Sequence, residues 1–365
     1  MMGFFGFLNR KNLHNVIFAE SFAKVLVKKI LREKLNFKTS SSVRLIGGEK
    51  PTRIEYRLHH LYSGLSNFNY FDFRDRREVG KTFQQQNVIE IHNIRLDTKT
   101  GVAYSVENDY IADSSAWPSD YLVRSSQIKP PRFLAFRMNK FGSGRYICLS
   151  SNGFYHWLIE DLPLFIFLYK NIDNPKVIIF ENAPSYVLAA LEELEINYIK
   201  ASRFISLDEY YFIGREDSVG WPNPKDLSIL KSFAKDIVKE RIEGRKIYIS
   251  RIGASRSPSF EPELISELTK KGWQIIDTTY MPLKEQIEEL SSASVLAGLH
   301  GAGLSGISWL KTGSKVIELS NNRLVRCFER LALLQDLQYH QIRYESPDMA
   351  LEVSEIVSKM EDFSS

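Results

Sequence analysis

The chain has 365 residues, of which 44% are hydrophobic and 25% are charged. This is the balance of an ordinary globular protein, and the length predicts two domains of roughly 150 residues each rather than one hydrophobic core. Only two cysteines occur, Cys148 and Cys327, which excludes a disulfide framework or a CxxC metal site and suits a reducing compartment.

The net charge of +4 is unevenly distributed along the chain. Between Arg10 and Arg44 the sequence carries nine Lys or Arg and two Asp or Glu, a net +7, which leaves −3 for the remainder. A slightly acidic body with a basic arm argues against nucleic acid as a partner. We predict that residues 1–40 form a basic helical arm. It either packs on the body as a solvated helix or rests on an anionic membrane surface through an apolar stripe of Phe18, Phe22, Leu26 and Ile30.

A membrane-spanning segment is not expected. No stretch reaches the ~18 consecutive apolar residues that a span requires, and the N-terminal apolar patch precedes its basic residues, the reverse of a secretory signal. We therefore predict a cytoplasmic protein, which would lie peripherally at the inner face of the plasma membrane if the arm binds lipid.

Regular elements become readable only after the first third of the chain. Residues 41–140 mix Tyr, Phe, Asn and Asp with short apolar runs at 87–91 and 102–106, which predicts short strands and long loops. From Arg145 onward the pattern predicts strand 146–149, helix 155–170, strand 177–180 and helix 184–194. The segment 220–224 has two prolines in three residues and predicts a linker.

The clearest periodicity lies beyond this linker. Buried strands are predicted at 246–250, 273–277, 294–298 and 315–319, and helices at 261–271, 283–291, shortly after Gly303, and at 324–337. Strands alternating with helices indicate a parallel sheet covered on both faces, which binds ligands beyond the carboxyl ends of its strands. The predicted units are the arm 1–40, a first domain 41–222, a second domain 223–345 and a C-terminal helix 346–365.

The loop 250–261 follows the first of these strands directly. It contains two arginines, Arg251 and Arg256, four serines, and no acidic residue before Glu261. Guanidinium groups bind phosphate oxygens in bidentate fashion, so a loop at this place predicts a phosphate site. The alternative is a polar surface loop.

A glycine-rich turn, 298–306, lies between a buried strand and a short helix. Its glycines allow a ligand close to the backbone, and the N–H groups at a helix start favour an anion. Glu318 ends the next strand, where a carboxylate can accept hydrogen bonds from ribose hydroxyls.

The same turn leaves two other enzyme classes to consider. Gly301, Gly303 and Gly306 spell G-x-G-x-x-G, with Glu318 downstream, as in a dinucleotide-dependent dehydrogenase. The short helix and the few residues left to complete a Rossmann sheet count against that class. An esterase would need a nucleophile elbow, and no G-x-S-x-G occurs in the sequence.

A further motif lies in the first half, in the predicted helix 155–170. His156 and Glu160 are four residues apart and share a helix face, which offers an acid–base group with an orienting partner. A helix cap beside a partly buried histidine explains the same spacing. Two such ligands are too few for a metal site, and no third is evident.

Taken together, these motifs resemble the family-61 glycosyltransferases. The resemblance covers roughly residues 145–319, and its order and spacing are more specific than any one motif. It is carried by His156 and Glu160 ahead of Leu162-Pro163, Ser250-Arg251 with Arg256 and Glu261, Met281, Glu285-Gln286-Ile287, Ala293, His300-Gly-Ala-Gly-Leu304 and Val316-Ile-Glu-Leu319. One departure is Gly306, where family members often have Asn.

The resemblance implies a GT-B architecture, with two Rossmann-like domains facing across a cleft. The first (41–222) would bind the acceptor and the second (223–345) the nucleotide sugar. It also implies transfer of a hexosyl or pentosyl group with inversion at the anomeric carbon. No cofactor and no metal ion are expected, because the sequence has no Asp-x-Asp motif and arginines with helix dipoles would neutralise the leaving group.

The resemblance also implies a role for each residue that matches a family motif. Arg251 and Arg256 are expected on the diphosphate, with the backbone N–H groups of Gly301, Ala302, Gly303 and Leu304. His300 would contact the phosphates or the sugar, and Glu318 the ribose. Glu160 is the expected general base, His156 orients it or the acceptor, and Asp161 is the reserve candidate.

The expected partners are a nucleotide-sugar donor, foremost a UDP-sugar, and a glycan or lipid-linked glycan acceptor. Resemblance to bacterial members suggests a role in surface polysaccharide (capsule or lipopolysaccharide) synthesis. The rival from another class is a non-catalytic carbohydrate- or nucleotide-binding protein that retains the fold.

Overall fold

A computed structural model describes the greater part of the chain. The described residues are 37–39, 44–46, 56–63, 66–72, 77–83, 86–104, 110–111, 114, 138–150, 153–214, 223–238, 244–254, 257–321, 325–344 and 353–365. The predicted helical arm 1–40 and its apolar stripe lie outside these ranges, except for Phe37–Thr39, which form a strand instead.

The first half is built on one large mixed sheet. Its strands pair in the order β1-β2-β8-β7-β6-β13-β10-β11-β12, with β3 also on β6 and β9 also on β13, while β4 and β5 form a separate hairpin. Their bounds are β1 Phe37–Thr39, β2 Arg44–Ile46, β3 Tyr56–Ser63, β4 Ser66–Asp72, β5 Arg77–Phe83, β6 Gln86–Asp97, β7 Val102–Tyr104, β8 Tyr110–Ile111, β9 Asn139–Phe141, β10 Tyr146–Cys148, β11 Lys176–Phe180, β12 Tyr198–Ala201 and β13 Phe204–Ile213.

This sheet agrees only in part with the predicted Rossmann-like first domain. β13, β10, β11 and β12 are parallel, but β13 is antiparallel to the long strand β6, which continues into antiparallel pairs. β6 has 12 residues, so the prediction of short strands in 41–140 was wrong there, and β13, with 10 residues, was not predicted. Both contain charged residues among apolar ones, which hides their length in the sequence.

One long helical segment, α1 (154–171), crosses this half. It consists of an α-helix Phe154–His156, a π-helix Trp157–Asp161 and an α-helix Leu162–Asn171. A second helix, α2, spans Ser185–Glu193 with Pro184 at its N-cap. The predicted helix 155–170 is therefore confirmed, and the π-helical stretch within it was not predicted.

The second half contains a five-stranded parallel sheet in the order β15-β14-β16-β17-β18. Its strands are β14 Arg245–Ile249, β15 Gln274–Ile276, β16 Ala293–Leu299, β17 Lys315–Ser320 and β18 Gln338–Arg343. The four predicted strands are confirmed and β18 is added. This order is that of a doubly wound sheet, whose direction reverses between β14 and β16.

Helices cover both faces of the parallel sheet, as the continuous apolar runs of its strands require. They are α3 Pro224–Ile237, α4 Glu261–Lys270, α5 Leu283–Ser291, a 3₁₀ helix Ala302–Trp309, α6 Cys327–Leu333 and α7 Val353–Ser364. Ile247 and Ile249 face a cluster with α3, α5 and the 3₁₀ helix, whereas Tyr248 faces one with α4 and α7. Pro224, expected in a linker, begins α3.

The two halves share a hydrophobic core rather than meeting at a polar boundary. A single cluster joins Ile147 and Leu158 of the first half to Leu230 of α3 and to Ile287 and Leu296 of the second. Glu193 at the end of α2 also accepts hydrogen bonds from the backbone N–H groups of Leu283 and Lys284 at 3.0 and 3.1 Å. The first half therefore caps α5 of the second.

Within the described ranges, no helix combines the length and the apolar character that crossing a membrane requires.

Candidate functional site

The candidate site lies at the carboxyl edge of the parallel sheet, where the strand order reverses. β14 leads into Ser250 and Arg251, the neighbouring β16 leads into His300 and the glycine turn, and β17 carries Glu318 near its end. Loops after strands on the two sides of a reversal separate and leave a crevice between them. Three of the predicted motifs therefore meet at the place where such sheets bind ligands.

Arg251 is held in this crevice by two anchors. Its side-chain Nη1 donates to the carbonyl oxygen of His300 at 2.6 Å, which joins the loop after β14 to the turn after β16. Its backbone N–H donates to Glu261 Oε1 at 2.6 Å. Arg256, the second predicted phosphate ligand, lies outside the described residues.

Glu261 organises the loop that carries Arg251. Its side chain is fully buried and accepts hydrogen bonds from the backbone of Arg251, the hydroxyl of Tyr248 at 3.2 Å and the hydroxyl of Ser257. A buried carboxylate needs such donors to offset its desolvation. Sequence reasoning used Glu261 only as part of a resemblance and missed this role, although an acid at the end of a basic loop was its signal.

The absence of a side chain at Gly301 leaves room for the guanidinium of Arg251. A Cβ on Gly301 would lie 2.7 Å from Nη1 and 2.9 Å from Cζ of Arg251, so any larger residue would push the side chain away. The backbone of Gly301 is extended, at φ 173°, and places no other demand for glycine. The space that the Arg251 guanidinium needs is therefore the physical reason for glycine at this position.

The helix after the turn is a 3₁₀ helix, and its first N–H groups have no intrahelical acceptor. Gly301, Ala302 and Gly303 lie at this start. Leu304 does not fit its predicted role, because its N–H already donates to the carbonyl oxygen of Gly301 at 3.0 Å and its side chain is buried. The anion-binding backbone is thus reduced to three residues.

Gly306 departs from the common family residue for a reason of packing. It is buried, and a Cβ there would collide with Cδ1 of Leu290 on α5. Glycine at this position therefore leaves room for Leu290, and it contributes no polar side chain to the crevice.

His300 belongs to a chain of three side chains from three elements. Its Nδ1 lies 2.5 Å from Glu318 Oε1, and the hydroxyl of Tyr339 on β18 donates to Glu318 Oε2. The side chain of Glu318 is 1% exposed and that of His300 is 11% exposed. A ribose would reach Glu318 only by displacing one of these partners, so the predicted ribose contact is not supported by the geometry. Tyr339 was missed because β18 was not predicted.

His156 and Glu160 form the pair that their spacing predicts. His156 Nδ1 lies 2.9 Å from Glu160 Oε2, and the imidazole is the more accessible partner, at 29% exposed against 6% for the carboxylate. Asp161, the reserve candidate, points elsewhere and accepts a hydrogen bond from Ser150. Both carboxylates lie at the end of the π-helical stretch, and such stretches are frequent at functional sites.

Phe328 on α6 connects the two histidine centres. Its ring packs edge-to-face on His300 at 5.3 Å and on Tyr155 at 5.6 Å between ring centroids. Tyr155 precedes His156 in α1, and burial raises its pKa well above the ordinary value. The acid–base pair of the first half and the anion-binding turn of the second therefore lie on either side of one buried ring.

Groups of three or more His, Cys, Asp or Glu arranged to hold a metal ion do not occur in the part of the chain that the structure describes. The free cysteines are not exposed nucleophiles either. Burial, followed by the charge of Glu318, raises the pKa of the Cys327 thiol to about 12.

Residues 154–317 match the family model described as Glycosyltransferase 61. The matched span begins with α1 and includes His156, Glu160, Arg251, His300 and the glycine turn, and it ends just before Glu318. A glycosyltransferase family 61 domain is thus present, over slightly less than half of the chain, and it supports a glycosyltransferase with a sugar donor and a glycan acceptor. No curated protein matches the chain.

Proposed function

We propose that this protein transfers a sugar from a nucleotide-sugar donor to a hydroxyl group of a glycan acceptor. One observation carries the proposal: Arg251, His300 and the start of the 3₁₀ helix converge at the strand-order reversal of a doubly wound sheet, within a family 61 domain. The His156–Glu160 pair approaches the same region from α1 through Tyr155 and Phe328.

The donor side neutralises the charge of the leaving group. As the bond between the anomeric carbon and the phosphate oxygen breaks, its electron pair passes to the nucleoside diphosphate, which becomes more negative. Donors already in place stabilise this state more than the bound substrate. Arg251, His300 and the N–H groups of Gly301, Ala302 and Gly303 supply them, with Arg256 as a further candidate. This set supports transfer without a metal ion.

The acceptor side removes a proton. The acceptor oxygen attacks the anomeric carbon from the face opposite the leaving group, which inverts that centre, and its proton passes to a base on α1. The exposures favour His156 as the group that meets the hydroxyl, with buried Glu160 holding Nδ1 and stabilising the imidazolium. This reverses the order of roles that the sequence suggested.

The test of the proposed function is donor turnover. UDP-, GDP- and CMP-sugars are incubated with the protein, with and without EDTA, and release of nucleotide is measured. We expect release from one nucleotide class, unchanged by EDTA. Binding of a donor without any release, with or without glycan, would instead support the non-catalytic rival.

Variants of the acid–base pair refine the test. We expect His156→Gln to lower kcat by on the order of 10³-fold and Glu160→Gln by on the order of 10²-fold, with donor KM unchanged. Asp161→Asn, which removes the charge of the carboxylate bonded to Ser150, is the control for loss of a neighbouring carboxylate. Full turnover in His156→Gln together with none in Glu160→Gln would return the base to Glu160.

The acceptor and the place of action complete the proposal. The two halves are proposed to act as the two sides of a GT-B enzyme, with a bacterial surface polysaccharide or its lipid-linked precursor as acceptor. The net +7 between Arg10 and Arg44 supports contact with an anionic membrane at its cytoplasmic face. Failure to co-sediment with anionic vesicles at low salt would remove this contact from the proposal.

A further inference from the structure

Glu318 is the buried centre of the chain Tyr339–Glu318–His300, whose two outer members are partly exposed. Glu318 is 1% exposed at its side chain, and both of its carboxylate oxygens are engaged, one by His300 and one by Tyr339. Burying a charged group is costly unless partners compensate, and each partner here belongs to a different strand or strand end. Of the two outer members, His300 is the one that adjoins the glycine turn.

The chemistry of the three groups fixes the position of each proton. Burial, followed by the charge of Glu318, raises the pKa of Tyr339 far above its ordinary value, so its hydroxyl stays protonated and donates to Oε2. A carboxylate only accepts hydrogen bonds, so Nδ1 of His300 must carry the proton in the bond to Oε1. Nε2 is left as the nitrogen that can meet a ligand.

We infer that Glu318 and Tyr339 are positioning residues that hold His300 with its proton on Nδ1, so that the imidazole meets a nucleoside diphosphate through Nε2. This inference rests on the proposed function. A diphosphate on the glycine turn would place negative charge in front of the ring while Glu318 places it behind, and an imidazolium between the two would interact favourably with both.

Other ionisable groups surround this centre. They are Arg251, which bonds the carbonyl oxygen of His300, and three residues of α6 that act on Glu318's neighbours: Cys327, Glu329 and Arg330. Cys327 remains a neutral thiol because its pKa is raised to about 12.

Calorimetry with UDP, GDP and ADP measures the affinity of the site. Glu318→Gln should weaken binding of the nucleotide on the order of 10-fold, because His300 loses the carboxylate that holds its Nδ1–H. Tyr339→Phe should weaken binding less, and Tyr198→Phe, which removes an exposed tyrosine–glutamate bond remote from the site, should leave the affinity unchanged.

The tautomer of His300 gives a second measurement that needs no ligand. The chain contains seven histidines, so nitrogen-15 spectra can be assigned through His300→Gln. The Nδ1–H form in neutral His300 supports the inference, and the Nε2–H form overturns it even if nucleotide binds. Nδ1–H without binding of any nucleoside diphosphate overturns the proposed function and the ligand named here. Undiminished nucleotide affinity in Glu318→Gln overturns the inference alone.

Discussion

Single residues at the site divide into those that meet a ligand and those that hold them. Arg251 and His300 are each backed by a buried carboxylate, Glu261 and Glu318 respectively, and both carboxylates accept from a tyrosine hydroxyl as well. Such pre-organisation lowers the reorganisation that binding would otherwise require. Substitutions that displace Arg251 or His300 should therefore lower the affinity for the ligand more than the free energy of unfolding.

Gly301 offers a direct test at this scale. Gly301→Ala places a Cβ against the guanidinium of Arg251 without backbone strain, so the side chain should leave the carbonyl oxygen of His300. We expect affinity for the nucleoside diphosphate to fall on the order of 10-fold, the loss of about one charged hydrogen bond, with little change in melting temperature. Gly142→Ala, where a Cβ meets open space, is the matched control. Wild-type affinity in Gly301→Ala would show that Arg251 does not contact the nucleoside diphosphate.

At the scale of elements, α5 depends on the opposite half of the chain for its N-terminal cap. Its own N-cap is Pro282, which offers no side-chain acceptor, and both oxygens of Glu193 take the N–H groups of Leu283 and Lys284. A carboxylate at a helix start satisfies orphan donors and interacts favourably with the helix dipole.

We therefore expect Glu193→Ala to lower the free energy of unfolding by about 1 kcal/mol. Chemical denaturation followed by circular dichroism measures the change. The neighbouring Glu192→Ala is the control, because the side chain of Glu192 accepts an exposed contact of 3.4 Å from the hydroxyl of Tyr198. Equal stability of the two variants would mean that the cap contributes nothing.

The elements also show what the sequence could predict. Strands β14, β16 and β17 were predicted because they are buried on both faces and consist of continuous apolar runs. β18 is an edge strand of mixed polarity, Gln338–Arg343, which gives no such signal, so Tyr339 and its bond to Glu318 were missed. The pairing of His156 with Glu160 followed from helical spacing, whereas the exposures that decide between them follow from packing.

At the scale of the whole molecule, the hydrophobic cluster common to both halves couples their folding. Leu230, Phe233 and Ala234 of α3 lie in the same cluster as Leu158 of α1 and Ile307 of the 3₁₀ helix. Separating the halves would expose this apolar surface to water at about 25 cal/mol per Å².

We expect scanning calorimetry to record one cooperative transition for this core, with calorimetric and van't Hoff enthalpies in agreement. Two transitions with separate midpoints would show that the halves fold independently and that the common core contributes little to stability.

The cap that Glu193 provides to α5 has a consequence for the exchange of parts between related enzymes. A chimera that joins the nucleotide-binding half of this protein to the acceptor half of another would inherit a helix whose opening turn is bare, unless the incoming partner carries an acid at the same place. Successful recombination at the 223 boundary should therefore require an acidic side chain in the incoming half at the place that Glu193 occupies here.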